Sequence, residues 1–335
     1  MRFSLSIITA LLASAAAFAQ TTFSNPVIGP NWADPTVWQA DGHFYTLATG
    51  LQDLKTSEDL VHWEIVGDPK DRPISEQTRE ELSKLGKWIW APDMLRAEDR
   101  WMLYVACYNS LEDNRIACLS SDSPTGPWTY EGIITDSKDN GIKDTIDAEV
   151  VRDPKTGKMW LFFGSTGRVH RIQLDATGTS IAPGAGFEHV AGLDRDVNRQ
   201  RDKVFEGTYI HRHKGWWYLL ASVGDYRNDS YRVVCGRSRK LTGTFRNKEG
   251  LPLTEGNWTT VISSGKDDRF YGPGHNGEIF TDSKGQDYII YHSHDRALEK
   301  ASWRPSLLQR IFWDRDGWPY VDGGKPAQSE ITPIF

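Results

Sequence analysis

The chain has 335 residues, of which 39% are hydrophobic and 25% are charged, and its net charge is −6. This composition excludes a disordered, collagen-like or polytopic membrane protein. The negative charge and the lack of a block of Lys and Arg give no reason to expect nucleic acid as a partner. One all-β domain can reach this length without splitting.

The N-terminal segment has the features of a secretory signal peptide. Arg2 precedes an apolar run from Leu5 to Phe18, and Ala17-Phe18-Ala19 fits the small-x-small cleavage pattern. The run is too short for a membrane-spanning helix, and no other hydrophobic stretch is long enough to span a membrane. We therefore predict a signal peptide over residues 1–19, one domain over residues 20–335, and export to the periplasm or the exterior without membrane insertion.

Five segments of the chain repeat one plan: a polar residue, a short strand, a turn with Gly, Asp or Lys, and an aromatic-rich strand. The polar residues are Asp34, Asp93, Asp147, Glu206 and His275. Successive members are 59, 54, 59 and 69 positions apart, which leaves room for about four strands in each repeat. Only residues 75–85 suggest a helix. The sequence predicts an all-β, five-bladed β-propeller.

The propeller has a consequence for the five polar residues. The innermost strand of each blade lines the central axis, so equivalent residues of the blades form a ring. We expect the five residues to share one phase of this strand and to face one axial funnel, which would hold the active site. Acids grouped in this way repel one another, which favours a function for the set. For Asp93 alone, hydrogen bonds that cap a strand are the preferred explanation.

Three of these acids are sufficient for glycoside hydrolysis. One carboxyl group acts as general acid and a second as base or nucleophile, while a third can orient a partner or raise its pKa by like-charge repulsion. Asp34, Asp147 and Glu206 would come from three different blades. This placement favours the wide separation that admits the water of an inverting mechanism.

Five short motifs surround the polar residues in a fixed order. They are Trp32-Ala33-Asp34-Pro35, Trp90-Ala91-Pro92-Asp93, Ile146-Asp147-Ala148, Phe205-Glu206-Gly207 and Gly272-Pro273-Gly274-His275-Asn276. Together they resemble glycoside hydrolase family 43, over almost the whole mature chain. The resemblance implies a propeller enzyme that hydrolyses arabinosides, xylosides or sometimes galactosides with inversion. It implies Asp34 as general base, Glu206 as general acid, and Asp147 as the residue that raises the pKa of the acid and orients it.

The resemblance also implies an axial cation, often calcium, beside His275. One imidazole cannot specify calcium, which prefers oxygen ligands, so water would supply most of the coordination shell. The alternative is a hydrogen-bonded inner-strand histidine without a metal. The acid–base chemistry itself would need no cofactor.

Five residues are candidates for contacts with the sugar. Trp90 is the main candidate for a stacking face, while Trp32 and Phe205 are explained equally well by packing. Ser165 follows the second strand of the third repeat, where members of the family contact sugar hydroxyls. Arg296 follows the last repeat and could bind a hydroxyl, with an exposed salt-bridged arginine as the equal alternative.

The substrate is predicted from details within the family. Gly236-Arg237-Ser238, Leu241-Thr242-Gly243-Thr244-Phe245 and the motif around His275 are similar to endo-1,5-α-L-arabinanases. We expect a monomer that acts on arabinan, a plant cell-wall polysaccharide, or on its oligosaccharides. An exo-acting α-L-arabinofuranosidase or a β-xylosidase is the alternative within the family, and a non-catalytic glycan-binding propeller is the alternative outside it. Loops at 70–87 and 184–201 are long enough to block one end of a cleft.

The chain has three cysteines: Cys107, Cys118 and Cys235. Each lies in a strand-like run and is predicted to be a small buried residue. A disulfide between Cys107 and Cys118 across a hairpin is the alternative.

Overall fold

A computed structural model describes residues 21–67, 73–193 and 204–335. It confirms the all-β, five-bladed propeller. The predicted signal peptide over residues 1–19 lies outside the described residues, as do parts of the two loops predicted at 70–87 and 184–201. Within the described ranges, no helix is both long enough and apolar enough to cross a membrane.

The first three blades follow one another along the chain. Strand β1 (Thr22–Ser24) precedes blade 1, whose strands are β2 (Thr36–Ala40), β3 (His43–Leu47), β4 (Lys55–Ser57) and β5 (Glu64–Ile65). Helix α1 (Glu76–Leu85) then leads to blade 2, with β6 (Trp88–Ala97), β7 (Arg100–Ser110), β8 (Asp113–Ser121) and β9 (Thr129–Asp136). The short helix α2 (Ser137–Asn140) leads to blade 3, with β10 (Glu149–Arg152), β11 (Met159–Phe163), β12 (Arg168–Gln173) and β13 (Glu188–Gly192).

Blades 4 and 5 complete the ring. Blade 4 has β14 (Glu206–His213), β15 (Trp216–Val223), β16 (Arg232–Ser238) and β17 (Thr259–Ile262). Blade 5 has β18 (Phe270–Gly274), β19 (Ile279–Thr281), β20 (Asp287–Asp295), β21 (Ser306–Trp313) and β22 (Pro319–Tyr320). The last strand, β23 (Ser329–Ile331), pairs with β1. In blades 1 to 4 the strands lie in chain order and pair antiparallel, so each blade is a simple meander.

Hydrophobic side chains fill the joints between neighbouring blades. Among the described residues, the core forms five clusters, and each cluster draws its residues mainly from two adjacent blades. The central strands are therefore covered on both faces, and in β7 seven consecutive residues are buried. A blade cannot bury its apolar faces alone, so the ring is stable only when all its neighbours are present.

The N-terminal segment closes the ring by joining the last blade. Thr22 pairs with Ile331, and Ile28 bridges to Ser306 in β21. The Asn25 side chain exchanges two hydrogen bonds with the backbone of Leu308, at 2.9 and 3.0 Å. The segment before blade 1 and the last strand thus pair with each other and pack on blade 5.

The predicted helix at residues 75–85 is confirmed as α1. Ser75 is its N-cap, and its side chain accepts a hydrogen bond from the Thr78 amide at 3.1 Å. This bond satisfies one of the free amide groups of the first turn.

All three cysteine thiols are free and buried. The alternative of a Cys107–Cys118 disulfide is wrong because of strand register. Cys118 lies opposite Tyr104, so Cys107 is three residues out of register and its side chain points to the other face of blade 2.

One residue at the start of each inner strand adopts a left-handed backbone conformation. The five are Asp34, Ala91, Asp147, Gly207 and His275, with φ values of 55°, 40°, 55°, 57° and 42°. Four of them are not glycine, although L-residues rarely adopt this conformation. The repeated strain marks the structurally equivalent position of the five blades, and strain of this kind is concentrated at functional sites.

This equivalence corrects the prediction that the five polar residues share one phase. In blade 2 the equivalent residue is Ala91, which follows Trp90 where the strand register shifts, and blade 4 has the same shift after Glu206. Asp93 lies two residues after Ala91 in the strand, so it is not equivalent to Asp34. In blade 4 the left-handed residue is Gly207, and Glu206 precedes it by one.

Asp93 belongs to a second tier of side chains that joins the blades below the first. Each member bonds to a backbone amide of the next inner strand. Asp93 accepts from Val150 at 2.7 Å, Glu149 from Ile210 at 2.8 Å, Tyr209 from Ile279 at 3.1 Å and Glu278 from Val37 at 2.6 Å. These bonds connect four of the five joints and fix the inner strands against one another.

The carboxyl groups of this tier have raised pKa values. Burial raises the pKa of Asp93 to about 7. Burial, together with the charge of Asp93, raises the pKa of Glu278 to about 8 and that of Glu149 well above its usual range. Since an unfolded Glu has a pKa of about 4.3, the folded state binds more protons than the unfolded state between these values. The free energy of unfolding must therefore fall as pH rises through this interval.

We expect the free energy of unfolding of Glu278→Gln to fall less steeply with pH than that of the parent. The amide keeps an oxygen that can accept from Val37 but has no charge to bury. The free energy of unfolding of the variant, relative to that of the parent, should therefore rise by at least about 1 kcal/mol from pH 5 to pH 8. Denaturant unfolding at several pH values measures the effect. Glu249→Gln, at an exposed position, is the control. Parallel pH curves for parent and Glu278→Gln would contradict the assignment.

Candidate active site

The inner strands surround a cavity of about 440 Å³ at one end of the axis. All five blades contribute to its wall. The lining residues are Asp34, Thr49, Trp90, Tyr108, Asp144, Ile146, Asp147, Ser165, Glu206, Tyr226, Tyr231, His275 and Arg304. The three acids predicted to carry the chemistry therefore meet in one cavity, together with the predicted histidine.

Asp34 is held from several sides. Its left-handed backbone precedes Pro35, which has a fixed φ, so the carboxylate is aimed by a stiff segment. One oxygen, Oδ1, lies 3.0 Å from Arg304 Nη1, 3.2 Å from His292 Nδ1 and 3.3 Å from His275 Nδ1. The other oxygen accepts a 2.5 Å hydrogen bond from the Thr49 hydroxyl.

These contacts determine the charge of Asp34. Burial alone would raise the pKa of Asp34, but the guanidinium of Arg304, with smaller contributions from His275 and His292, holds it well below its usual range. Burial, followed by the charge of Arg304, lowers the pKa of His292 to about 3, so this imidazole is neutral. Asp34 is therefore an ionised carboxylate whose strongest charged partner is Arg304.

Glu206 has a hydrogen-bond donor on each carboxylate oxygen. The Ser165 hydroxyl donates to Oε2 at 2.6 Å, and the Tyr231 hydroxyl donates to Oε1 at 2.8 Å. Burial and the charge of Glu206 raise the pKa of Tyr231 well above its usual range, so the phenol keeps the proton that it donates. The Tyr231 ring also stacks on His292, with centroids 5.9 Å apart. Tyr231 thus binds Glu206 directly and packs against His292, which lies beside Asp34.

Asp147 interacts with the charges of both other acids. Its Oδ2 accepts from the Gly207 amide at 3.1 Å and lies 4.0 Å from His275 Nδ1. Burial, then the charge of Glu206 and that of Asp34, raise the pKa of Asp147 well above its usual range. The two neighbouring acids therefore favour the protonated form of Asp147.

Two glycines of the motifs are required by close packing in this cavity. A Cβ on Gly274 would lie 2.0 Å from the Tyr231 ring. A Cβ on Gly207 would lie 2.8 Å from the His275 ring, and Gly207 also has a positive φ. The glycines beside His275 and Glu206 therefore allow the acid, its tyrosine and the histidine to approach one another.

The predicted sugar-binding residues divide into two groups. Trp90 and Ser165 line the cavity, whereas Trp32, Phe205 and Arg296 do not. Trp32 is buried and donates to the Thr46 hydroxyl at 3.1 Å. Phe205 is in the core between blades 3 and 4.

The guanidinium of Arg296 is bound by the loop that precedes β18. It donates to the carbonyls of Asp268 at 2.9 Å and Lys266 at 2.6 Å, and it lies 4.2 Å from the centroid of the Tyr271 ring. These bonds turn the side chain towards the loop that precedes β18, so the structure does not bring it to the cavity.

Several cavity residues were not predicted from the sequence. They are Thr49, Tyr108, Asp144, Ile146, Tyr226, Tyr231 and Arg304. Ile146 belongs to one of the five motifs but was not predicted to line a site. Arg304 reaches Asp34 across 270 positions of the chain. The only local signal for Arg304 is its place beside Pro305 before an apolar strand, and that pattern is too common to identify a site.

A comparison with protein families matches residues 23–319 to the model described as Glycosyl hydrolases family 43. An extracellular exo-α-(1→5)-L-arabinofuranosidase of Cellvibrio japonicus is 27% identical, over 86% of each chain. An extracellular endo-α-(1→5)-L-arabinanase of Bacillus subtilis is 24% identical, over 85% of this chain and 69% of that protein. Among solved structures, an α-L-arabinanase of Cellvibrio cellulosa complexed with arabinohexaose is 25% identical, with a TM-score of 0.74 over 88% of this chain and 96% of that chain.

The contact between Arg304 and Asp34 predicts a measurable titration. In Arg304→Met the burial of Asp34 is no longer offset by the guanidinium, so we expect the pKa of Asp34 to rise by at least about one unit. Carbon NMR of labelled aspartate carboxyl groups, with the Asp34 signal assigned from Asp34→Asn, measures it. Arg296→Met is the control, since that arginine lies away from the cavity. A pKa of Asp34 that is the same in parent and Arg304→Met would contradict the account.

Proposed function

The chain belongs to glycosyl hydrolase family 43, and on that basis we propose that it hydrolyses α-1,5-linked L-arabinosyl bonds of arabinan with inversion of configuration. Membership of the family makes the protein a glycoside hydrolase. The observation that carries the proposal is that Asp34, Asp147 and Glu206 enter one cavity from three blades with different surroundings.

Asp34 is suited to the role of general base. Arg304, 3.0 Å away, keeps the carboxylate ionised, so it can accept a proton from water. The activated water attacks the anomeric carbon from the face opposite the leaving oxygen. Thr49 and the neighbouring imidazoles fix the carboxylate while its charge changes.

Glu206 is suited to the role of general acid. In the reactive state Glu206 carries a proton, which it gives to the glycosidic oxygen as the carbon–oxygen bond breaks. Ser165 and Tyr231 hold the two carboxylate oxygens, so the acid does not need to reorganise. After release of the product, the proton accepted by Asp34 is returned to solvent and Glu206 takes up another.

Asp147 acts through Glu206. Its bond to the Gly207 amide fixes the backbone next to the acid, and like-charge repulsion opposes ionisation of both carboxyl groups at once. With Asp34 ionised and a proton on Glu206, the cavity holds one base and one acid.

Support for arabinan as substrate comes from the relatives. Those named above are an exo-acting arabinofuranosidase and an endo-acting arabinanase, so they do not decide the mode of action. We propose endo action, with exo-acting arabinofuranosidase or β-xylosidase activity as the alternative. Chromatography of products from linear arabinan and xylan separates these cases: oligosaccharides of arabinose support endo action, and arabinose alone supports exo action.

An axial cation beside His275 also remains a proposal. Within the described ranges, no three side chains of His, Cys, Asp or Glu converge to hold a metal ion. The protein would supply one imidazole, which does not by itself make a calcium site, and water would supply the remaining ligands. No step above passes through the ion. Metal analysis of the purified protein, before and after dialysis against a chelator, tests for it.

We further propose that the mature enzyme is exported as a monomer. The Cellvibrio japonicus and Bacillus subtilis relatives are named extracellular, in keeping with the predicted signal peptide. Sequencing of the secreted protein should find Gln20 at its N-terminus, and light scattering should give the mass of one chain. A retained leader or a dimer would contradict the corresponding part of the proposal.

The two proposed roles predict different responses to the leaving group. Glu206→Gln should lower kcat for arabinan by about 10²–10⁴-fold. Its loss should be much smaller for 2,4-dinitrophenyl α-L-arabinofuranoside, because a good leaving group needs little protonation. Asp34→Asn should lower kcat by a similar factor for both substrates, because each reaction needs an activated water.

Steady-state kinetics of the two variants measures this difference. Glu249→Gln, at an exposed position, is the control and should behave as the parent. Full arabinan turnover by either active-site variant would refute its assigned role. Binding of arabinan without turnover by the parent would instead identify a glycan-binding propeller.

A further inference from the structure

Three aromatic residues form a continuous surface from the cavity to the outside of blade 2. Trp90 and Tyr108 line the cavity, and their rings stack with centroids 4.3 Å apart. Trp88 stacks on Trp90 at 6.0 Å, with an angle of 20° between the planes, and lies 6.3 Å from Tyr108. We call Trp88, Trp90 and Tyr108 the aromatic platform.

The strand pairing of β6 and β7 explains why the three rings meet. Trp88 and Trp90 are two residues apart in β6, so they point to the same face. Trp88 lies directly opposite Tyr108 in β7, and Trp90 lies opposite Ala106. Paired residues also share a face, and the small Ala106 leaves space for the Tyr108 ring to lie over Trp90.

Trp88 is exposed where packing would predict a buried ring. The sequence has fourteen tryptophans, all within the described ranges, and Trp88 is the only one among the exposed large hydrophobic residues, at 48%. The Lys87 ammonium lies 5.9 Å from its ring centroid. Leaving an indole in water forgoes the stabilisation that burial would provide, whereas a flat apolar ring beside a cationic donor suits the C–H face and hydroxyls of a sugar.

We propose that Trp88 is a sugar-binding subsite outside the catalytic cavity, which stacks against an arabinose unit of a chain that leaves the cavity over blade 2. This inference rests on the proposed arabinan substrate and extends it. The platform continues the wall of the cavity without a break, so a chain bound at the three acids and passing Trp90 and Tyr108 would next meet Trp88. Short oligosaccharides would end before Trp88, and longer ones would reach it.

The inference predicts a dependence on chain length. In Trp88→Ala, we expect kcat/KM for α-1,5-arabinohexaose and linear arabinan to fall about tenfold, mostly through KM. The value for arabinotriose should stay within about twofold of the parent. Trp88→Tyr keeps a stacking ring and should recover most of the activity on arabinohexaose. Purely structural damage from the substitution would lower the activity on arabinotriose as well.

Tyr320→Ala is the matched control, because Tyr320 is 45% exposed and stacks on Phe312 in the outer strands of blade 5, away from the cavity. It should leave both oligosaccharide activities unchanged. If Trp88→Ala cleaves arabinohexaose as well as the parent does, the subsite is refuted while the arabinanase assignment stands. If the parent turns over no arabinose oligosaccharide, the proposed function fails, and the inference that rests on it fails too.

Discussion

Burial of acidic groups at the propeller axis is the constraint on which the structure depends. Asp34, Asp93, Asp147 and Glu149 are buried at or near the axis and Glu278 is half-buried, and a buried charge without a partner is costly. In the lower tier, raised pKa values and hydrogen bonds from backbone amides of the next blade offset this cost. In the upper tier, a guanidinium and two imidazoles surround Asp34, and burial raises the pKa of Asp147.

The two tiers give the same chemical group different tasks. In the lower tier each carboxyl joins its own blade to the next, and burial raises its pKa. In the upper tier Arg304 holds the pKa of Asp34 well below its usual range, while burial and the charges of Glu206 and Asp34 raise the pKa of Asp147. Acids with opposite pKa shifts thus lie in one cavity of about 440 Å³. The difference comes from the neighbouring residues.

Repetition made the fold predictable from the sequence. Five copies of one strand pattern at similar spacing predicted the number of blades, and helix α1 was predicted from its apolar period. The motif residues Asp34, Asp147, Glu206 and His275 meet in one cavity because each begins an inner strand. Asp93 was misplaced because the strand register makes Trp90, and not Asp93, the counterpart of Glu206 in blade 2.

The supporting residues could not be predicted in the same way. Arg304 and Tyr231 act on Asp34 and Glu206 through contacts that depend on how blades 4, 5 and 1 pack together. Phe205 directly precedes Glu206 and Trp32 is two residues before Asp34, yet both pack in the core. Neighbours in sequence are therefore a poor guide to which side chains line the cavity.

The central claim is that a water activated by Asp34 displaces the leaving group in a single step. Proton NMR of the first product formed from α-1,5-linked arabino-oligosaccharides tests it directly, because the new reducing end initially has one anomeric configuration. The account predicts that the β-anomer appears first and then mutarotates. Initial formation of the α-anomer would show net retention and would contradict the roles assigned to Asp34 and Glu206.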